Sequence, residues 1–172
     1  NVDTKGQDAQ ALYDQYIKKD MILDANGKTI KEAGGFKLGE SKDEYALCVA
    51  EVDGQTKYII PLYGSGLWGA VWGYVALDED KNTVYGTYFS HAGETPGLGA
   101  EITTATFQAP FKGKHIMKDG QLVSIAVVKP GKTAAGQDYV DGISGGTITS
   151  VAVQDMLKNC LMRYTNFLTN KD

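Results

Sequence analysis

The chain has 172 residues, 42% of them apolar and 22% charged, the balance of a globular protein with a sizeable core. Its net charge is -4 at pH 7, and no Lys/Arg cluster or basic helix occurs, so nucleic acid is excluded as an expected partner. Twenty-one glycines and ten tyrosines argue for turns and strands and against a helix bundle.

At this length one domain is expected over 1–172. The chain opens on Asn1 without Met or a signal peptide, and so reads as a trimmed fragment. Asp8 to Leu23 predicts a helix with Ala9, Leu12, Tyr16 and Ile17 on one face, closed by an Asn26-Gly27 turn. Lys31 to Lys42, with Gly34, Gly35 and Gly39, reads as irregular. Tyr45 to Val52 and Gln55 to Leu62 are β-rich runs joined by Asp53-Gly54, a hairpin signal because that pair accepts positive φ. Tyr58 to Leu77 then runs for twenty residues without a charge. That is long enough to cross a bilayer, and Gly69-x-x-x-Gly73 is a helix-pairing pattern. Pro61, Gly64, Gly66 and the mid-segment Trp68 and Trp72 favour two buried strands split at Gly64-Ser65-Gly66.

Asp78 to Asn82 is a polar turn, Thr83 to Ser90 a strand, and His91 to Gly99 a loop. Ile102 to Phe107 and Pro110 to His115 are ambiguous, and His91 and His115 read as surface loop histidines. Lys118-Asp119-Gly120 turns into Leu122 to Lys129, one predicted strand, and Gly131 to Asp141 reads as a loop. A final helix is expected over Val151 to Leu168. It buries Val153, Leu157, Cys160, Leu161, Tyr164 and Leu168 at three- and four-residue spacings, with Thr149 or Ser150 as N-cap. The sum is α+β: a mostly antiparallel sheet with an N-terminal and a C-terminal helix. Cys48 and Cys160 read as two buried thiols, a disulfide being the lesser alternative. Neither belongs to a Cys/His cluster, so no metal site is expected.

Two motifs fail on their context. Gly64-Ser65-Gly66-Leu67-Trp68-Gly69 matches GxGxxG, but strand-like alternation follows it where a dinucleotide fingerprint needs a helix. Gly142-Ile143-Ser144-Gly145-Gly146 matches a GxSxG nucleophile elbow, yet loop residues lead into Ser144 and both histidines precede it. Triad order varies between folds, which leaves a hydrolase as a minor alternative.

Two stretches carry more. Asp141 to Ser150 is a loop rich in glycine and hydroxyls that feeds the last helix. Adjacent Gly145 and Gly146 permit close backbone approach, and a helix N-terminus offers N–H groups and a positive dipole end to phosphate. The bland reading is a loop with an N-cap. His91 to Gly99 is a rigid turn in which Pro96 fixes φ, Glu94 supplies an acceptor and Thr95 a donor; alone, it is a strand connection.

Together these stretches resemble the FMN-binding domain family. Asp-x-x-Ser-Gly-Gly-Thr-x-Thr-Ser looks like its flavinylation signature, although the family more usually has Ala at the position of Gly146. Glu-Thr-Pro-Gly-Leu-Gly resembles its second hallmark. Gly66-Leu67-Trp68-Gly69 and Phe167-Leu168-Thr169 are similar to one branch, the C subunits of sodium-translocating NADH:quinone oxidoreductases. The resemblance runs from Tyr63 to Thr169 and leaves residues 1–60 without a hallmark.

The resemblance implies FMN joined through a phosphoester to Thr147 by a dedicated transferase that takes it from FAD. It implies a phosphate cradle of Ser144, Gly145, Gly146 and the N–H groups entering the helix. Glu94, Thr95, Leu98 and Gly99 would contact the isoalloxazine and ribityl chain. Trp68 would be an apolar wall, with core packing as the alternative, and Lys129 a nearby positive charge or else a solvated strand end. No acid, base or metal ligand is implied on this chain. The expected role is an electron-transfer subunit among the other subunits of a membrane redox complex. The expected location is the periplasmic side of a bacterial inner membrane, with the N-terminal anchor helix missing from this chain. The homologous subunit of the Rnf ferredoxin:NAD complex is the alternative within the family. A flavin-free binding or assembly domain is the alternative outside it, against which the intact Thr147 argues.

Overall fold

In the computed structural model, which describes residues 5–32 and 43–170, six strands form an antiparallel sheet in the order β2-β1-β3-β4-β5-β6. They are β1 (Ile17–Leu23), β2 (Thr29–Glu32), β3 (Tyr45–Val52), β4 (Gln55–Ser65), β5 (Ala70–Asp78) and β6 (Val84–His91). Short pairs β7 (Met117–Lys118) with β8 (Gln121–Leu122), and β9 (Ala126–Val128) with β10 (Tyr139–Asp141), lie outside it. The helices are α1 (Ala9–Tyr16), α2 (Ala105–Gln108), α3 (Thr147–Arg163) and α4 (Thr165–Thr169). This is the α+β arrangement expected.

Strict alternation in β5 decides which side of the sheet is covered: Val71, Gly73, Val75 and Leu77 are buried and the residues between them half-buried. Helix α3 packs on that side against β4 and β5, placing Val153, Leu157 and Leu161 against Ile60, Leu62, Val75 and Leu77 in one core. Gly64 lets β4 pass close beneath it, since a Cβ there would come within 3.0 Å of Met156 Cβ. Phe89, Phe107 and Phe111, with ring centroids 5.3–5.9 Å apart, close the core beside β6. At the far end, Tyr164 Oη donates to Ala46 O at 2.6 Å.

Several expectations change here. The helix predicted over Asp8–Leu23 ends at Tyr16. From Ile17 the chain is β1, paired to β3 and β2 on its two sides, and tertiary pairing overrides local propensity. Asp24 Oδ1 accepts the N–H groups of Asn26 and Lys28 at 2.8 and 2.9 Å, and Gly27 has φ +79°. Asn26-Gly27 is thus the turn of a hairpin and not a helix stop. The irregular stretch expected over Lys31–Lys42 begins within β2, and its residues 33–42 lie outside the described ones. Asp53-Gly54 turns as expected, with φ +52° and +76°. Strand β4 extends to Ser65, so the break before β5 lies in Gly66–Gly69, where Gly66 N–H donates to Gly69 O at 2.7 Å. No helix among the described residues is long and apolar enough to cross a membrane.

The single strand predicted over Leu122–Lys129 is interrupted: Ser124 has φ +63°, and the N–H groups of Val123 and Ser124 both donate to Ile116 O. The loop predicted over Gly131–Asp141 contains β10, parallel to β9. The ambiguous region after Gly99 is α2 between two 3-10 turns, Gly99–Thr103 and Ala109–Phe111. The last helix starts at Thr147, not Val151, and breaks at Tyr164. Both cysteines are free, Cys48 buried and Cys160 half-buried.

Candidate functional site

Three loops converge on the first turn of α3: Gly66–Gly69 between β4 and β5, Glu94–Gly99 after β6, and Gly142–Gly146 after β10. Glu94 joins them. Its side chain is buried, 3% exposed, with Oε1 accepting from Trp68 N–H at 2.9 Å and Oε2 accepting a short hydrogen bond from the Thr149 hydroxyl. Its own N–H donates to His91 Nδ1 at 3.1 Å, so His91 is a half-buried strand end that orients this loop and not a surface histidine. Burial pushes the Glu94 carboxyl up, but the Thr149 hydroxyl and the N–H groups of Trp68 and Leu67 outweigh it and hold the group below its ordinary value.

The loops approach this carboxylate only because two positions lack a side chain. A Cβ on Gly66 would stand 2.6 Å from Glu94 Oε1. A Cβ on Gly99 would stand 2.7 Å from Oε2 and overlap Thr149 Oγ1. In the third loop Gly145 takes φ +77°, and a Cβ there would lie 2.8 Å from Leu98 Cδ2. Gly146 N–H turns back to Ile143 O at 3.0 Å, and Ser150 N–H then donates to Gly146 O at 2.9 Å, the first bond of the helix.

Gly146 is therefore the N-cap, without a side chain to satisfy the leading N–H groups. Thr149 and Ser150, the expected caps, do other work: Thr149 binds Glu94, and Ser150 Oγ accepts from Ile143 N–H at 2.9 Å. Residues two apart on a helix diverge by about 200°. Hence Thr149 is buried while Thr147 is exposed.

A cavity of about 250 Å³ opens between the loops, lined by Leu67, Trp68, Glu94, Thr95, Leu98, Gly99 and Gly145 through Thr149. It gathers every residue singled out from the sequence except Ser144 and Lys129. Those two line an adjoining cavity of about 390 Å³ with Val127, Pro130, Ile143 and Val151, and the two cavities share Gly145 and Thr147. Trp68 is 68% exposed, which discards the core-packing alternative for it. Leu67, Leu98 and Ile148 are also exposed, so the rim of the first cavity is apolar. Sequence reasoning missed Leu67, Ile148 and Gly66, and misassigned Thr149; the Thr-x-Thr spacing at a helix start was the available signal.

Comparison with known proteins addresses the same residues. The model of the FMN-binding domain matches residues 66–162, more than half the chain. The chain belongs to the FMN-binding domain family. The matched span begins at the first glycine against Glu94 and includes all three loops. The C subunit of the Na(+)-translocating NADH-quinone reductase of Vibrio vulnificus (strain YJ016) is 32% identical over 177 aligned residues, covering 89% of this chain and 69% of the relative. Its counterpart in Yersinia pestis is 45% identical over 100 residues, 58% of this chain and 37% of the relative. Among solved structures, the C subunit of the same reductase from Parabacteroides distasonis ATCC 8503 superposes with a TM-score of 0.94 at 50% identity, covering 100% of this chain and 88% of that one. NqrC of Shewanella oneidensis gives 0.77 at 25% identity, covering 95% and 89%.

Proposed function

We propose that this chain carries FMN as a phosphoester on Thr147 and transfers electrons as the C subunit of a sodium-translocating NADH:quinone oxidoreductase. The observation that carries the proposal is the contrast between two threonines on one helical turn. Thr149 is buried and committed to Glu94, whereas Thr147 is exposed where both cavities meet, behind an N-cap with no side chain.

The residues present fit such a group. The uncapped N–H groups at the start of α3 and the backbone of Gly145 and Gly146 suit a phosphate, with Ser144 and Lys129 in the adjoining cavity as a donor and a counter-charge. Trp68, Leu67 and Leu98 offer apolar, exposed surface to a planar ring, and Thr95 a hydroxyl beside it. Bound FMN supplies the one- and two-electron chemistry. This chain attaches it, orients it and tunes its surroundings, and no residue is assigned as a catalytic acid or base. In maturation Thr147 Oγ forms a bond to the FMN phosphorus of FAD, the pyrophosphate bond breaks with AMP as leaving group, and the hydroxyl proton is released.

The partners on this reading are a flavin transferase and the other subunits of a membrane complex. The whole of 1–172 acts as one FMN-binding domain on the periplasmic side of a bacterial inner membrane. Co-expression with the transferase and an intact mass test the proposal. A gain of one FMN less one water is expected, and none in Thr147→Ala. An equal gain in both proteins would move the attachment elsewhere, and no gain in either beside an active transferase would end the covalent reading.

A further inference from the structure

The resemblance alone makes Glu94 a ligand contact, but its surroundings give it another part. Both carboxylate oxygens already accept from the protein: Oε1 from Trp68 N–H at 2.9 Å, and Oε2 from the Thr149 hydroxyl. One partner lies in the Gly66–Gly69 loop and the other on the first turn of α3, and Gly66 and Gly99 close in on the two oxygens with no room for a Cβ. Among the described residues, neither the Lys57–Asp78 ion pair nor the His115–Asp138 contact includes Glu94. This buried anion is balanced by N–H and O–H dipoles and by the positive end of α3. It also lines the cavity beside Thr147.

We propose that Glu94 is a positioning residue that ties its own loop to the Gly66–Gly69 loop and to the first turn of α3 around the cavity and, through its charge, lowers the reduction potential of whatever redox group the cavity holds. The inference rests on the FMN reading for that group. A fixed negative charge in a site of low dielectric opposes the addition of electrons nearby. Geometry and charge can be separated. Glutamine keeps the length: its oxygen accepts from Trp68 N–H, and the Thr149 hydroxyl turns to accept from its NH2. Aspartate keeps the charge but falls short of both partners.

The test compares flavinylated wild type, Glu94→Gln and Glu94→Asp by redox titration followed in the flavin absorbance. Glu94→Gln shifts the oxidised–reduced equilibrium about tenfold toward the reduced form, which for a two-electron couple is about 30 mV more positive. Glu94→Asp keeps a potential near wild type but melts at a lower temperature. A Glu94→Gln potential equal to wild type would defeat the charge role. A readout without flavin is the backbone amide resonances of Leu67 and Trp68 in the unloaded protein. Both move in Glu94→Asp, which falls short of its partners, if the carboxylate holds this loop, and unmoved resonances in that variant would defeat the positioning role. A wild type that takes no flavin removes the FMN reading, and the amide shifts then still decide whether Glu94 organises the loops.

Discussion

Along its middle and C-terminal turns, α3 meets the sheet through Val153, Leu157 and Leu161 packed on Ile60, Leu62 and Val75. At its first turn the same helix is held by single polar contacts, Thr149 to Glu94 and Ser150 to Ile143, and by glycines that admit neighbouring backbone. Apolar burial is graded and shared among many neighbours, so it tolerates small shifts and fails through lost area and cavities. The polar end depends on individual atoms. A substitution there changes the site before it unfolds the protein, and a substitution in the packed end does the reverse.

The largest effect separates the packed core from the polar site most sharply. Phe111 is fully buried against Phe89 and Phe107, and Phe111→Ala is expected to cost about 3–5 kcal/mol in urea unfolding. The folded fraction keeps the wild-type amide resonances at Trp68 and the wild-type flavin uptake. A cost below about 1 kcal/mol would show that the aromatic cluster is not a main support of the core. Gly99→Ala is the counterpart at the polar end. The added Cβ overlaps Thr149 Oγ1 and approaches Glu94 Oε2, so a smaller loss of about 1–3 kcal/mol is expected from overpacking, together with displaced Trp68 and Leu67 amide resonances. Displaced amides in Phe111→Ala, or unmoved ones in Gly99→Ala, would break the comparison.

The same division explains what the sequence made legible. Periodicity found β3, β4, β5, β6 and the apolar face of α3, because those segments meet the core over whole strands or turns. It failed where a few residues depend on a distant partner. Ile17–Leu23 carries Lys18, Lys19 and Asp20 among its apolar residues, and its pairing with β3 and β2 makes it a strand. Tyr139–Asp141 is too short to alternate visibly, and its parallel pairing with β9 makes it a strand. At the site, the resemblance pointed to residues that gather at two adjoining cavities, but not to the roles within them. Thr147 and Thr149 differ only in which way the helix turns them, and that depends on α3 being capped at Gly146 and not at Thr149 or Ser150.

Acid titration gives the smallest expected effect and tests whether charge is confined to the polar end. The carboxyls of Glu94, Asp24, Asp80 and Asp138 are all held below their ordinary values, and none is among the residues packed between α3 and the sheet. For Glu94, burial acts upward and is overcome by the Thr149 hydroxyl and the N–H groups of Trp68 and Leu67. A carboxyl whose folded value lies below its unfolded one binds fewer protons when folded. Its stabilisation is therefore complete above the unfolded value, 4.5 for this glutamate, and is lost as pH falls through the lower folded value. Asp24, Asp80 and Asp138 act in the same direction, so total stability alone does not isolate Glu94. The difference between wild type and Glu94→Gln does, because the other three titrate alike in both proteins. The stability gap between them, measured by urea unfolding across the acid range, should be widest above pH 4.5 and close on acidification. A gap that stays constant would mean that the Glu94 carboxylate contributes shape alone, and the low potential proposed for the cavity would lose its source.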